Sequence, residues 1–253
     1  GDYAVHLAVK NGLLSLKEIL EKGTPQLIPH TSEYFSLGSA VYDYIPGATC
    51  PIWLGFIKTM FPDESVQQLL QEFLGHCLFH DVRMAKFLLL IGEGANGKGV
   101  FSTVARLIVG SSNCSAVSLE AIDPKRTFPL YSMLGKLMNI AEDVGDIDKA
   151  CEGILKVIVA NGVQQVEQKG QAAISARFVA KLIFCANQLP RFSDKSSGLS
   201  RRMLPVTCTV QILDESKQDR RLTEDTFWEE SGELPGILNW ALEGLVRLIK
   251  RGH

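Results

Sequence analysis

Residues 88–100 read "LLLIGEGANGKGV", and the fold is decided there. An apolar run from Phe87 to Ile91 stops at Gly92, and "GEGANGKG" (Gly92 to Gly99) matches G-x-x-x-x-G-K. A short, continuous apolar run ending in glycines suits a buried parallel strand. The glycines let the backbone turn and approach an anion without a Cβ clash, so that successive N–H groups wrap a β-phosphate. Lys98 then reaches the β- and γ-phosphates, and a helix over Val100 to Val109 points its positive end at them. The strand before and the helix after are the context that gives these letters meaning, since the same pattern also occurs in surface loops. The nucleotide contacts read from this stretch are Gly92, Glu93, Gly94, Ala95, Asn96, Gly97, Lys98, Gly99 and Val100.

Gly99 stands where a Ser or Thr hydroxyl ordinarily ligates Mg²⁺. Either a water replaces that hydroxyl or the metal leans on acids further along. Ser102 and Thr103 lie three and four residues into the helix and are expected to point elsewhere. A nucleotide site that has lost its activity is the alternative.

Outward from the loop, the chain reads in three parts. Residues 1–82 are expected to be a mainly helical domain. Pro62-Asp63 opens one helix, in which Val66, Leu69, Leu70, Phe73, Leu74, Cys77 and Leu78 recur at threes and fours. Residues 83–211 alternate buried strands with helices; "KLMNIA" (Lys136 to Ala141) and "KLIFCA" (Lys181 to Ala186) are two more strands of an α/β core with a central parallel sheet. Residues 212–253 end in an amphipathic helix whose stripe is Ile237, Leu238, Ala241, Leu242, Leu245, Leu248 and Ile249. A helix packed on the core is the plain reading of that stripe.

Composition narrows the class. The 253 residues carry a net charge of −2 and 46% hydrophobic residues, so the whole molecule is no general polyanion binder. Charge is uneven, however: Cys151 to Val210 holds eight Lys+Arg against three acids, and a nucleic-acid contact belongs there. No run of 18 apolar residues argues for a membrane span. Cys50, Cys77, Cys114, Cys151, Cys185 and Cys208 form no CxxC pair, which favours reduced thiols and a cytoplasmic protein. The start, "GDYAVHLAVK", lacks an initiator Met and a signal-peptide pattern and reads as a piece of a longer chain or a processed form. "HCLFH" sets His76, Cys77 and His80 within reach of one metal, but without the Glu of H-E-x-x-H it reads as ordinary helix.

Glu142 and Asp143 follow "KLMNIA", at the end of a strand, where two carboxylates hold Mg²⁺ through water and polarise an attacking water. Their order, well after the lysine loop, is that of the second acid motif of a phosphate-loop enzyme. Asn187 follows "KLIFCA"; an amide at that strand tip orients the lytic water, and a turn Asn before Pro190 is the alternative. In "GLSRRMLPV", Arg201 and Arg202 are either a surface pair in ion contacts or arginines that stabilise a transition state across a subunit boundary.

The ordered set "GEGANGKG", "KLMNIAEDVG", "KLIFCANQLP" and "SRRMLPV" resembles a superfamily 3 helicase, and most nearly the C-terminal helicase module of phage and plasmid primase-helicases, related to the poxvirus primase-helicase. "NGLLSLKE", "GTPQLIPHT" and "VYDYIPGATCPIW" are similar to that family's N-terminal region, so the resemblance spans nearly the whole chain and is weakest after residue 212. It implies an AAA+-type ATPase that uses ATP and Mg²⁺ and assembles as a ring, a hexamer, on single-stranded DNA at a replication fork. Such proteins are replicative helicases of mobile elements in a bacterial host cell, moving 3′ to 5′, with a primase domain possible in the full chain. By resemblance Lys98 binds phosphate, Glu142 and Asp143 are the metal and water-activating acids, Asn187 is the sensor, and Arg202, then Arg201, is the arginine finger. Family members place a β-hairpin between acids and sensor. Here its tip is Gln168-Lys169-Gly170, and Lys169 is the residue implied to touch DNA phosphate, with an idle surface lysine as the alternative. Competing readings are a nucleotide-dependent DNA-binding or origin-assembly module with slow hydrolysis, and a phosphoryl-transfer enzyme on a small substrate, for which no acceptor-site pattern is seen.

Overall fold

Strands buried on both faces make the centre of one part of the structure, and they are runs whose sequence is apolar without alternation. A computed structural model describes residues 6–34, 38–80, 82–123, 128–142, 144–145, 149–168, 172–192 and 197–252. The chain divides into two compact units. One comprises Asp81–Gly94 and Cys114–Thr207; the other gathers Gly1–His80, Ala95–Asn113 and Cys208–His253.

The first of these, the sheet unit, holds β4 (Phe87–Ile91), β5 (Cys114–Ser115), β6 (Met138–Ala141), β9 (Lys181–Ala186) and β10 (Met203–Thr207). They form one parallel sheet in the order β10-β4-β9-β6-β5. The expected α/β class with a central parallel sheet is therefore what forms. Every residue of β6 and β9 is buried, and so are the first four of β4. Pro205 sits in β10, an edge strand, where a missing N–H costs no ladder bond. Asn139, fully buried in β6, secures the other edge: its Oδ1 accepts from the Val117 N–H and the Ser115 hydroxyl, both at 2.8 Å, and its Nδ2 donates to the Val117 carbonyl at 2.9 Å. Helix α6 (Lys149–Val159) packs Cys151, Ile154, Leu155 and Ile158 into the core with Phe87, Leu89 and Phe184.

The second unit is built around α3 (Glu64–Cys77) and α9 (Leu234–Arg251). Asp63 caps α3 by accepting from the Ser65 N–H at 2.8 Å, as the Pro-Asp start predicts. Leu70, Phe73, Leu74, Cys77 and Leu78 are buried, as are Ile237, Leu238, Ala241, Leu242, Leu245 and Leu248 of the terminal stripe. A Cβ on Gly75 would collide with the Ala241 carbonyl, and one on Gly244 with the Gln71 backbone, so the two helices approach through glycine. Arg247 and Arg251 close on the buried Glu72 carboxylate at 2.7 and 2.5 Å. The N- and C-terminal parts of a three-part linear reading thus belong to one compact body.

Two further differences stand out. Residues 6–28, read as part of a mainly helical region, contain a three-stranded antiparallel sheet: β1 (His6–Val9), β2 (Gly12–Ser15) and β3 (Leu27–Ile28). Four-residue apolar runs carry no period that separates strand from helix. Helix α4 spans Lys98–Val109 and so begins at the lysine itself, two residues before the expected start.

Candidate nucleotide site

Beyond Ile91 the Gly92 N–H donates to the Ala186 carbonyl at 3.0 Å, carrying the β4–β9 pairing one step into the loop. Gly94 (φ +107°), Ala95 (φ +48°) and Gly97 (φ +81°) are all left-handed. Runs of this kind turn successive N–H groups to one concave side, the geometry that receives an anion. Ala95 pays for its conformation as a non-glycine, and the Ile212 N–H holds it by donating to the Ala95 carbonyl at 2.9 Å. Gly97 is required twice over: a Cβ there would sit 3.0 Å from Phe56 Cζ and 3.2 Å from Met60 Cγ. Phe56 and Met60 belong to α2 (Pro51–Met60), which backs the loop.

Two features inside the loop fit a phosphate group. Gly97 provides no side-chain cap to α4, so the first-turn amides are left for a ligand. Asn96 is 2% exposed; its Oδ1 accepts from Lys98 Nζ at 3.1 Å while its Nδ2 has no partner among the described residues. A buried donor without a partner beside a phosphate-binding ammonium suits an anionic ligand. Gly99 is exposed, and a Cβ there would meet nothing within 4 Å, so space does not explain the missing hydroxyl. Thr103 is turned away, its Oγ1 lying 3.5 Å from the Thr223 carbonyl.

In the sheet unit, Gly92, Glu142 and Asn187 follow the carboxyl ends of β4, β6 and β9, and β9 lies between the other two. Ligands of open parallel sheets bind at such ends. Glu142 and Asn187 are both exposed. The Val144 N–H donates to the Cys185 carbonyl at 3.0 Å, fixing the chain after the acids against β9, and the Gly145 N–H donates to the Glu120 carboxylate. Neither contact is legible in the sequence. Asp143 lies outside the described residues.

A hairpin does lie between the acids and Asn187: β7 (Val163–Val166) pairs antiparallel with β8 (Ile174–Arg177). Lys169 and Gly170, expected at its tip, lie outside the described residues. Arg177, exposed at the hairpin base, donates to the Asn161 carbonyl at 2.6 Å. The two arginines differ. Arg202 is half-buried, its guanidinium donating to the Gly198 carbonyl at 2.5 Å, and its own carbonyl receives the Phe87 N–H. Arg201 is exposed, and its carbonyl accepts from Lys86 Nζ at 2.6 Å. Among the described residues no group of three His, Cys, Asp or Glu is placed to hold a metal ion, and no helix is long and apolar enough to cross a membrane.

A strand of a five-stranded parallel sheet, followed along the chain by a loop with left-handed residues and then a helix, defines a mixed α/β protein. A family of unknown function, DUF5906, matches residues 90–202. The uncharacterized mitochondrial protein ymf21 of Marchantia polymorpha is 29% identical over 87 residues, which is 34% of this chain and 48% of that protein. The Acanthamoeba polyphaga mimivirus protein "Putative helicase L207/L206" is 20% identical over 217 residues, covering 78% of this chain and 22% of the viral one. The fold is shared with the C-terminal region of NrS-1. Two of its apo structures superpose with TM-scores of 0.59 and 0.60 at 14% and 13% identity, over 78% and 81% of this chain and 48% and 52% of theirs. The chain thus spans about half the length of the solved chains it resembles.

Proposed function

We propose that this chain is the motor part of an ATP-dependent DNA helicase of the superfamily 3 type, working as a ring on single-stranded DNA. The observation that carries the reading is the loop: left-handed at Gly94, Ala95 and Gly97, and opening directly onto α4 at Lys98. Likeness in fold to the NrS-1 C-terminal region and in sequence to a viral protein named as a helicase supports it. The loop amides hold the β-phosphate and Lys98 the β- and γ-phosphates. Glu142 and Asp143 would hold Mg²⁺ through water, and the ion would supply neutralisation of the charge on the transferred phosphoryl. One of these carboxylates takes the proton of the attacking water, and Asn187 positions that water. Lys169 meets the DNA backbone, with exposed Arg177 adding charge at the same hairpin. The exposed Arg201 serves a neighbouring subunit more readily than Arg202, whose guanidinium is engaged in its own chain.

The test is ATP hydrolysis with Mg²⁺, with and without single-stranded DNA. Stimulation by DNA that disappears in Lys98→Ala supports the motor. Hydrolysis retained in Lys98→Ala removes the loop from the mechanism. The second reading, a nucleotide-gated assembly module, draws on Gly99, which offers Mg²⁺ no hydroxyl; tight ATP binding without turnover at ring-forming concentrations selects it.

A further inference from the structure

Residues 211–225 run alongside the phosphate loop and its helix. The Ile212 peptide is held from both sides: its N–H bonds the Ala95 carbonyl at 2.9 Å, and its carbonyl accepts from Gln218 Nε2 at 2.6 Å. Further along, the Arg106 guanidinium grips both oxygens of Asp225 at 2.9 and 2.5 Å, and Thr103 faces Thr223. Thr103 and Arg106 are three apart and share one face of α4. The segment therefore starts at the loop rim and follows that face. Its charges are settled locally, with Asp214 bonded to Ser216 and Asp219 to Arg221. Leu213 is the exception, 75% exposed, next to the residue pinned on the loop.

We infer that Leu213 is the apolar platform on which the base of the bound nucleotide packs, with the fixed Ile212 peptide setting its distance from the phosphates. This rests on the loop being a nucleotide site. The amides of the loop converge on phosphate, so a nucleotide held there must lay its sugar and base on a flanking wall. Residues 212 and 213 are wall directly bonded to the loop. An apolar side chain among charges matches a flat aromatic face rather than another phosphate, and gives affinity without reading the edge of the base. Purine triphosphates, having the larger face, bind better than pyrimidine ones.

The experiment is calorimetric titration of the 253-residue chain with ATP and with inorganic tripolyphosphate, both with Mg²⁺, comparing native protein, Leu213→Ser and Leu213→Phe. Leu213→Ser is expected to weaken ATP binding by about tenfold, the scale of one lost base-packing contact. Tripolyphosphate affinity stays within about twofold, and Leu213→Phe keeps ATP binding native. Equal losses for both ligands, or an unchanged ATP affinity in Leu213→Ser, overturn the inference while leaving the loop intact. Failure of native protein to bind either ligand overturns the nucleotide reading and this inference with it.

Discussion

Glu233 is the residue whose removal tests how the terminal segment supports the loop. Helix α2 starts at Pro51 after Cys50, which supplies no side-chain cap. Its first-turn amides are met instead from far along the chain: Glu233 accepts from the Ile52 N–H at 3.1 Å and the Trp53 N–H at 2.8 Å. The carboxylate is 4% exposed. In Glu233→Ala the buried Trp53 amide loses the carboxylate to which it donates, and an orphaned buried donor costs about 1–3 kcal/mol. The Ile52 amide is better placed for water, so its loss is about 0.5–1 kcal/mol. The lost charge at a helix N-terminus adds about 0.5–1 kcal/mol. The total is about 3 kcal/mol. Glu233→Gln keeps one acceptor oxygen and is expected to lose about half of that. Urea unfolding followed by tryptophan fluorescence reads the change, because Trp53, Trp228 and Trp240 form one aromatic cluster in this unit. The same helix presses Phe56 and Met60 towards Gly97, so weaker ATP binding accompanies the lost stability. A stability for Glu233→Ala within about 0.5 kcal/mol of native, the range of ordinary surface changes, refutes the capping argument.

Gly99→Ser places a hydroxyl where Mg²⁺ is ordinarily held, and a Cβ meets no obstacle there. The expected outcome is ATP hydrolysis at lower Mg²⁺ concentration with unchanged thermal stability, measured as a Mg²⁺ titration of turnover. The Cys50 thiol, 2% exposed, is pushed up to about 12, first by burial and then by the Glu233 and Glu243 carboxylates. An unfolded thiol titrates near 8.5. The contribution of this raised group is fully present below about pH 8.5 and is lost as pH rises towards the folded value. Urea midpoints measured from pH 7 to pH 10 should therefore fall less steeply in Cys50→Ala than in the native chain.

Where local pattern and tertiary environment agree, the sequence was readable. Phe87 to Ile91 and Lys181 to Ala186 form strands with the expected bounds, because short continuous apolar runs bounded by turn residues suit strands buried on both faces of a parallel sheet. The α3 start at Asp63 was legible for the same reason: a cap acts within two residues. The short strands β1 and β2 were not, since four residues are too few to express a period. Among site residues, Gly97 was assigned by pattern, yet its close approach to Phe56 required the fold.

The sequence by itself determined the loop, the strand before it, the helix after it and the order of Glu142 and Asn187 along the chain. Those features depend on neighbours a few residues away: glycines that permit left-handed turns, and apolar runs that demand burial. Only the tertiary structure decided that β9 lies between β4 and β6, that Arg202 is engaged by Gly198 while Arg201 is exposed, and that Ile212 and Glu233 brace the loop and α2. Those partners are separated by up to 181 residues of chain, and no local propensity encodes which distant amide a carbonyl or carboxylate will meet once the core closes.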